Sequence, residues 1–257
     1  SLMTGQIGRP GTGLHPLRGQ NNVQGTSDMG LIPMFFPDYK SVTDPENKKW
    51  FENFWGTSLN PKTGLTVVEI VDAVHSGGVR GMYVQGENPA MSDPNLNHAR
   101  GALSMLEHLV VQDIFLTETA GFADVIFPAS AFPEKSGTFT NSNRQVQLGR
   151  QAIDPPGNAR QDWWIIQEVA RRLGVDWSYD GPEEIFSEIR KATPSMAGIT
   201  WKRLQKEHSV TYPCNKEGDP GEAIVFRKGF PTANKKARIV PAKYSHADEM
   251  PDDCLLS

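Results

Sequence analysis

Cysteine is scarce in this sequence, and its scarcity excludes several kinds of site. Two cysteines, Cys214 and Cys254, occur among 257 residues. A [4Fe-4S] cluster or a cysteine-built zinc centre usually takes four protein ligands, so this chain alone has too few thiolates for either. The six histidines show no metal-ligand spacing such as His-x-x-x-His. We therefore expect no metal site built from these residues, and a reducing setting without disulfides.

Long apolar runs and an excess of basic charge are also missing. No stretch of 18 apolar residues is present, so no membrane span is expected. Residues 1–10 contain no apolar core of a signal peptide. With 26 basic and 30 acidic residues the net charge is -4, which gives no electrostatic footprint for nucleic acid. These absences favour a cytoplasmic protein that binds neither membranes nor nucleic acid.

Glycine and proline are abundant, at 24 and 19 residues, and many of them fall in residues 1–40. Amides cluster in the same segment, at positions 20–24. We predict little regular structure there, and a flexible tail is the common form of such a segment. Within it, Arg18 stands among glycines and amides. It is either a solvated surface arginine or an anion-binding group, since a guanidinium fork matches a carboxylate.

Strands and helices alternate after residue 40. Predicted helices cover 45–55, 66–76, 93–107, 163–173, 182–192 and 201–207, with a helical turn at 117–122. Predicted strands cover 82–84, 109–111, 125–127, 223–226 and 237–240, and a long polar loop covers 129–157. Short apolar strands between amphipathic helices are typical of an α/β fold, here a three-layer, parallel, Rossmann-like sheet with helices on both faces. The predicted regions are an irregular segment at 1–40, an α/β domain at 41–150 and a smaller helical part with short strands at 151–257.

Polar residues follow the predicted strands. Gly86-Glu87-Asn88-Pro89 and Ser92 come after one strand, and Gln112 ends the next. Ligands bind at the carboxyl ends of strands in open α/β sheets, which favours a nucleotide site at these residues. Turn chemistry with Ser92 or Asp93 as a helix N-cap, and a buried Gln112 that satisfies loop backbone, explain the same residues without a ligand. Both interpretations stay open at this point.

Seven motifs carry a resemblance to a known family. They are Gly8-Arg-Pro-Gly-Thr-Gly13, Pro16-Leu-Arg-Gly-Gln-Asn-Asn-Val-Gln-Gly25, Asp28-Met-Gly30, Gly86-Glu-Asn-Pro89, Val111-Gln-Asp-Ile-Phe-Leu-Thr-Glu-Thr-Ala120, Ala123-Asp-Val-Ile-Phe-Pro128 and Glu134-Lys-Ser-Gly-Thr-Phe-Thr-Asn-Ser-Asn-Arg144. With these motifs the chain resembles the catalytic subunit of molybdenum- or tungsten-dependent formate dehydrogenases. Those enzymes belong to the bis-molybdopterin guanine dinucleotide oxidoreductases.

The resemblance implies a role for each candidate residue. Arg18 matches the active-site arginine that holds formate, and Gln20 matches a residue near the pterin. The positions matched to cofactor binding, several of them at the guanosine end, are Gly86, Asn88, Ser92, Gln112 and Thr117. Asn88 stands where some members have aspartate. An amide offers less charge than a carboxylate to the N–H donors of guanine, so we expect weaker binding of the base.

The resemblance also implies a larger parent enzyme. That enzyme oxidises formate to carbon dioxide, carries a [4Fe-4S] cluster and a C-terminal barrel domain, and passes electrons to partner subunits. Its metal-ligating cysteine or selenocysteine and its cluster cysteines have no counterpart here. The chain is therefore predicted to be an internal fragment that is inactive by itself and binds no cofactor. A relative of nitrate reductase type, or a non-catalytic scaffold domain, are the alternatives.

Overall fold

A computed structural model of the chain describes residues 1–246, so Cys254 lies outside the described residues. The α-helices are α1 (Val23–Asp28), α2 (Pro45–Trp55), α3 (Val67–His75), α4 (Pro89–Ser92), α5 (Leu96–Met105), α6 (Asp162–Arg172), α7 (Pro182–Ala192) and α8 (Trp201–Glu207). The strands are β1 (Phe35–Phe36), β2 (Lys40–Ser41), β3 (Gly81–Gln85), β4 (His108–Asp113), β5 (Val125–Pro128), β6 (Gly137–Thr140), β7 (Gln145–Gly149) and β8 (Ser209–Thr211).

The chain divides into two compact units. Unit 1 is drawn from Ser1–Thr63, Gly137–Gly149 and Glu183–Ser245, and unit 2 from Gly64–Ser136 and Arg150–Pro182. Both units combine stretches that are far apart in sequence, whereas the three regions expected from the sequence are consecutive. Those three regions, with their assigned roles, remain a prediction.

Unit 2 contains a parallel three-stranded sheet in the order β3-β4-β5, flanked by helices. The apolar residues of the strands form its core, because Val84, Leu109 and Val111 are buried together with Leu103 of α5. The Thr66 hydroxyl and the Glu69 carboxylate form the reciprocal capping box that starts α3. The α/β fold class with a parallel sheet is confirmed.

Unit 1 contains an antiparallel three-stranded sheet in the order β6-β7-β8. Val146 of β7 and Val210 of β8 are buried against Phe186, Ile199 and Leu204, which come from the C-terminal part of the chain. A second apolar cluster joins Phe36 and Phe51 with Val42 and Ala192. Unit 1 is thus held together by residues from all three of its stretches.

Two segments predicted to be irregular contain regular structure. The 129–157 loop includes the β6–β7 hairpin, in which Thr140 pairs with Val146 and Thr138 with Leu148. Polar and apolar residues alternate over 138–140 and 145–148, but each run is only three or four residues long, so the period-two signal was short. Residues 1–40 include α1, whose N-cap Asn22 bonds to Thr140 of β6, and β1, which pairs with the neighbouring β2. The loop prediction was wrong for the hairpin, whereas residues 1–40 otherwise form turns and irregular backbone, in line with the expectation of little regular structure.

Other boundaries also differ from the prediction. Residues 223–226 and 237–240 form no strand, and β8 at Ser209–Thr211 occupies the sheet edge instead, paired with β7. The helix expected from residue 93 begins at Leu96, because the Asn95 side chain caps it by accepting from His98 N at 3.1 Å. Among residues 1–246, no helix is long and apolar enough to cross a membrane.

Candidate functional site

A polar cavity of about 330 Å³ lies in unit 1, and it is lined mainly by amides. Arg18 and Gln20 both line it, so the structure brings together two residues that the sequence assigned to neighbouring parts of one site. The cavity is also lined by Asn141, Ser142 and Asn143 of the β6–β7 turn. These three lie in a motif quoted for the resemblance, but nothing in the sequence placed them beside Arg18.

The segment around Arg18 is fixed to the sheet by Asn22. Asn22 precedes α1 with a left-handed backbone (φ 63°), and its Oδ1 accepts a hydrogen bond from Thr140 N of β6 at 2.9 Å. Gly25 makes room for this contact, because a Cβ there would lie 2.2 Å from Asn22 Oδ1. The amide-rich string therefore forms one wall of the cavity.

Behind the cavity, Arg18 contacts a chain of polar side chains that sequence reasoning missed. Its Nη2 donates to Gln24 Oε1 at 3.3 Å, and Gln24 Nε2 donates to Asp28 Oδ1 at 2.8 Å. Asp28 is 2% exposed, and this burial raises the pKa of its carboxyl. Tyr212 OH donates to Asp28 Oδ2 at 2.7 Å. No local sequence pattern could reveal these contacts, because Gln24 and Tyr212 are 188 positions apart.

The carboxyl edge of the parallel sheet in unit 2 holds the other predicted residues. Asn88 Oδ1 accepts from Thr119 N at 3.1 Å and from Thr119 Oγ1 at 2.8 Å. Asn88 Nδ2 donates to Glu118 Oε2 at 2.7 Å, and this hydrogen bond lowers the pKa of the Glu118 carboxyl. Ser92 Oγ donates to Asn88 O at 3.1 Å. Asn88 therefore ties the start of α4 to the Glu118–Thr119 turn.

Gln112 is also bonded to neighbouring side chains. It is 1% exposed, its Oε1 accepts from Tyr83 OH, and its Nε2 donates to Asp162 Oδ1 at 2.8 Å. Lys135 Nζ forms an ion pair with the other carboxylate oxygen of Asp162. The ligand-free interpretation of a buried, satisfied amide describes these contacts, although the partners are side chains and not loop backbone.

Gly86 and Thr117 shape the backbone of the same edge. Gly86 has φ 63°, and its N–H donates to Gln112 O at 2.9 Å, which joins the ends of β3 and β4. Thr117 Oγ1 accepts from Ala120 N at 3.3 Å and steadies the turn that carries Glu118. Within residues 1–246, no group of three or more His, Cys, Asp or Glu side chains could hold a metal ion.

Comparison with protein families gives one match that spans most of the chain. Residues 1–172 match the model of the molybdopterin oxidoreductase family. The chain is 49% identical over 255 residues to the F420-dependent formate dehydrogenase subunit alpha of Methanocaldococcus jannaschii, covering 98% of this chain and 37% of that protein. It is 43% identical over 245 residues to a putative formate dehydrogenase of Staphylococcus aureus, covering 95% of this chain and 25% of that protein.

Two further comparisons extend the picture. A probable oxidoreductase of Bacillus subtilis, YjgC, is 42% identical over 252 residues, covering 98% of this chain and 26% of that protein. The chain thus spans about a quarter to somewhat over a third of the length of these relatives. Among solved structures, acetylene hydratase from Pelobacter acetylenicus matches with a TM-score of 0.50 and 20% identity, covering 65% of this chain and 24% of that chain. At this identity the match shows a shared fold.

Proposed function

Because the chain belongs to the molybdopterin oxidoreductase family, we propose that it is an internal part of a formate dehydrogenase catalytic subunit. The parent reaction is formate to carbon dioxide, a proton and two electrons. Its relatives support this assignment, since the proteins matched at 49% and 43% identity are named as formate dehydrogenases. The observation that carries the proposal is the shared cavity of Arg18 and Gln20.

Arg18 is the proposed substrate residue of this cavity. The other lining side chains are His15, amides, hydroxyls and one valine, so Arg18 alone carries a permanent positive charge among them. Formate has three heavy atoms, and a guanidinium can donate two charge-assisted hydrogen bonds to its carboxylate. The same fork orients the C–H bond, because a bidentate contact fixes the plane of the small anion.

The cavity suits a pterin on chemical grounds. Side-chain amides both donate and accept hydrogen bonds, and a pterin edge presents donors and acceptors side by side. Gln20, together with the amides of Asn141 and Asn143, would bind such an edge. The chemistry supplied by a bound molybdenum or tungsten pterin cofactor is two-electron oxidation. This chain's own residues would bind the cofactor and the anion and would orient both.

The guanosine end of the cofactor is assigned to the carboxyl edge of the parallel sheet. Gly86, Asn88, Ser92, Gln112 and Thr117 lie along this edge or in the turns beside it. Asn88 and Gln112 are bonded to side-chain neighbours, so each would exchange a hydrogen bond to contact the nucleotide. Their proposed role is to hold the edge in shape as well as to contact the base.

The rest of the enzyme would supply what this chain lacks. We propose that other domains of the same subunit provide the metal ligand, a [4Fe-4S] cluster and the barrel domain, and that partner subunits take the electrons. The cytoplasmic location expected from the sequence is part of the same proposal. By itself, the 257-residue chain is proposed to be inactive.

The test is Arg18→Lys in the complete catalytic subunit that contains this chain. Lysine keeps the charge but loses the fork, so we expect kcat/KM for formate to fall by about 30-fold, the equivalent of about 2 kcal/mol. Molybdenum or tungsten and pterin content should stay normal, since Arg18 is assigned to substrate. Arg9→Lys is the control, because Arg9 is exposed and does not line the cavity. Unchanged kinetics would remove the substrate role, and lost cofactor would reassign Arg18 to the pterin.

A further inference from the structure

We propose that Gln24 positions the guanidinium of Arg18 for substrate, and that the buried Asp28 and Tyr212, together with the exposed Tyr39, hold Gln24 in the required orientation. The inference rests on the proposed function, since Arg18 is the proposed formate ligand. Gln24 lies on α1 and lines the cavity beside Arg18. Its Oε1 accepts from Arg18 Nη2 at 3.3 Å.

The orientation of the Gln24 amide is determined by its other contacts. Gln24 Nε2 lies 2.8 Å from Asp28 Oδ1, 3.1 Å from Tyr39 OH and 3.2 Å from Tyr212 OH. A carboxylate only accepts hydrogen bonds, so the NH₂ end of the amide must face Asp28. The carbonyl end is thereby directed to Arg18. Flipping the amide would set two acceptors against each other and leave Arg18 without its partner.

Burial makes this arrangement stable. Asp28 is 2% exposed and Tyr212 is 8% exposed. The Tyr212 hydroxyl donates to Asp28 Oδ2 at 2.7 Å, so each carboxylate oxygen accepts at least one hydrogen bond, and Tyr39 also hydrogen-bonds to Asp28. A buried carboxylate that lost either donor would carry an uncompensated cost, and this cost opposes rearrangement of the pair.

An unusual backbone turn places the Tyr39 hydroxyl beside Gln24. Asp38 and Tyr39 are consecutive non-glycine residues with φ 61° and φ 56°, a conformation that L-residues rarely adopt. Ser195 Oγ donates to Asp38 Oδ1 at 2.6 Å and holds this turn. Strained residues persist where surrounding contacts over-determine them, and here the strained turn brings the Tyr39 hydroxyl to Gln24.

A neutral amide suits this task better than a carboxylate. An acceptor next to Arg18 is needed to orient the guanidinium, but a carboxylate in its place would neutralise the charge that attracts formate. The amide carbonyl orients Arg18 and leaves the net positive charge for the anion. Gln24 is therefore a positioning residue that acts through Arg18.

The experiment is a double-mutant cycle in the complete catalytic subunit. Gln24→Met keeps the length of the side chain and removes both hydrogen-bonding groups, so we expect kcat/KM for formate to fall by about tenfold, with pterin and metal content unchanged. In the Arg18→Lys background, Gln24→Met should have less than a twofold further effect, because its action passes through Arg18. A merely structural role would give the same loss in both backgrounds.

Three variants keep the outcome decisive. Gln24→Glu should raise KM for formate by about tenfold or more, because its carboxylate pairs with Arg18. Tyr39→Phe, at a side chain already 43% exposed, should fold and give about a two- to threefold loss that disappears in the Arg18→Lys background. Gln167→Met is the matched control, because the Gln167 amide bonds to the Tyr179 backbone in unit 2 and should affect thermal stability alone.

The results separate the two proposals. If Arg18→Lys has no effect on formate kinetics, the proposed function fails. If Arg18→Lys has its expected effect while the Gln24→Met and Tyr39→Phe losses are additive with it, the function stands and the positioning role of Gln24 is wrong. Loss of both single-variant effects in the Arg18→Lys background supports the inference.

Discussion

The two groups of predicted site residues differ in how they are held. At the sheet edge of unit 2, Asn88 and Gln112 have both ends of their amides bonded to other side chains. In the cavity of unit 1, Arg18 is exposed and donates to Gln24 Oε1 over 3.3 Å, while Gln20 lines the same cavity. The amides of the sheet edge already have side-chain partners that hold them in place. The cavity instead presents polar groups to which a ligand would bind.

The largest expected effect is a complete absence of formate oxidation by the 257-residue chain alone. Neither group of residues includes a metal-binding cluster within the described part of the chain. The measurement is dye reduction with formate by pure, metal-analysed protein. Turnover at any rate above a heat-denatured control would contradict the account of the cavity as one part of a larger site.

Substitution to alanine should destabilise the protein more in the core of the parallel sheet than at its exposed positions. Leu109 is 1% exposed, so Leu109→Ala should lower the free energy of unfolding by about 3 kcal/mol through lost burial and the cavity that remains. Ile126, on the neighbouring strand, is 38% exposed, and Ile126→Ala should cost less than about 1 kcal/mol. Denaturant unfolding compares the two variants. Equal losses would mean that β4 is not the centre of unit 2.

The contribution of the sheet-edge hydrogen bonds to stability can be tested at Gln112. Gln112→Leu removes the partner of Tyr83 OH and of Asp162 Oδ1, and we expect a loss of about 2 kcal/mol in unfolding free energy. Gln151→Leu is the control, because the hydrogen bonds of the Gln151 side chain lie at an exposed site. A neutral Gln112→Leu would contradict the claim that these hydrogen bonds stabilise the sheet edge.

The smallest effect concerns the charge beside Asn88. The hydrogen bond from Asn88 lowers the pKa of the Glu118 carboxyl. The stabilisation from this hydrogen bond is therefore present above the ordinary pKa of glutamate, and it is lost as the pH falls through the lowered pKa. Asn88→Asp replaces a donor with a second carboxylate and should raise the pKa of Glu118. Carboxyl ¹³C NMR titration measures this, and an unchanged pKa would show that the Asn88–Glu118 contact is not formed in solution.

Local sequence signals were enough for the parallel sheet but not for the cavity. The apolar runs at Val84 and Leu109 and the capping box at Thr66 are contained within a few residues, so periodicity and capping rules find them. The alternation in the β6–β7 hairpin covers only a few residues on each strand, and its pairing with β8 depends on Val210, far along the chain. Pattern rules therefore missed the antiparallel sheet.

The same reasoning explains what was and was not predicted of the site. Arg18, Gln20 and the strand-end residues were selected as candidates from their motifs, because the resemblance attaches to strings of sequence, and their roles remain predictions. The partners that orient them were not, since Gln24 meets Tyr212 and Asn22 meets Thr140 across long sequence separations. A folded backbone is needed to bring these pairs together.

The central claim is that Arg18 is the formate ligand of an amide-lined cavity. Equilibrium binding of ¹³C-formate, followed by NMR in the complete catalytic subunit and in its Arg18→Lys variant, tests it most directly. The account predicts a Kd about tenfold higher in the variant with cofactor content unchanged, as the binding part of the combined loss of about 2 kcal/mol in kcat/KM. Equal affinity in the two proteins would contradict it.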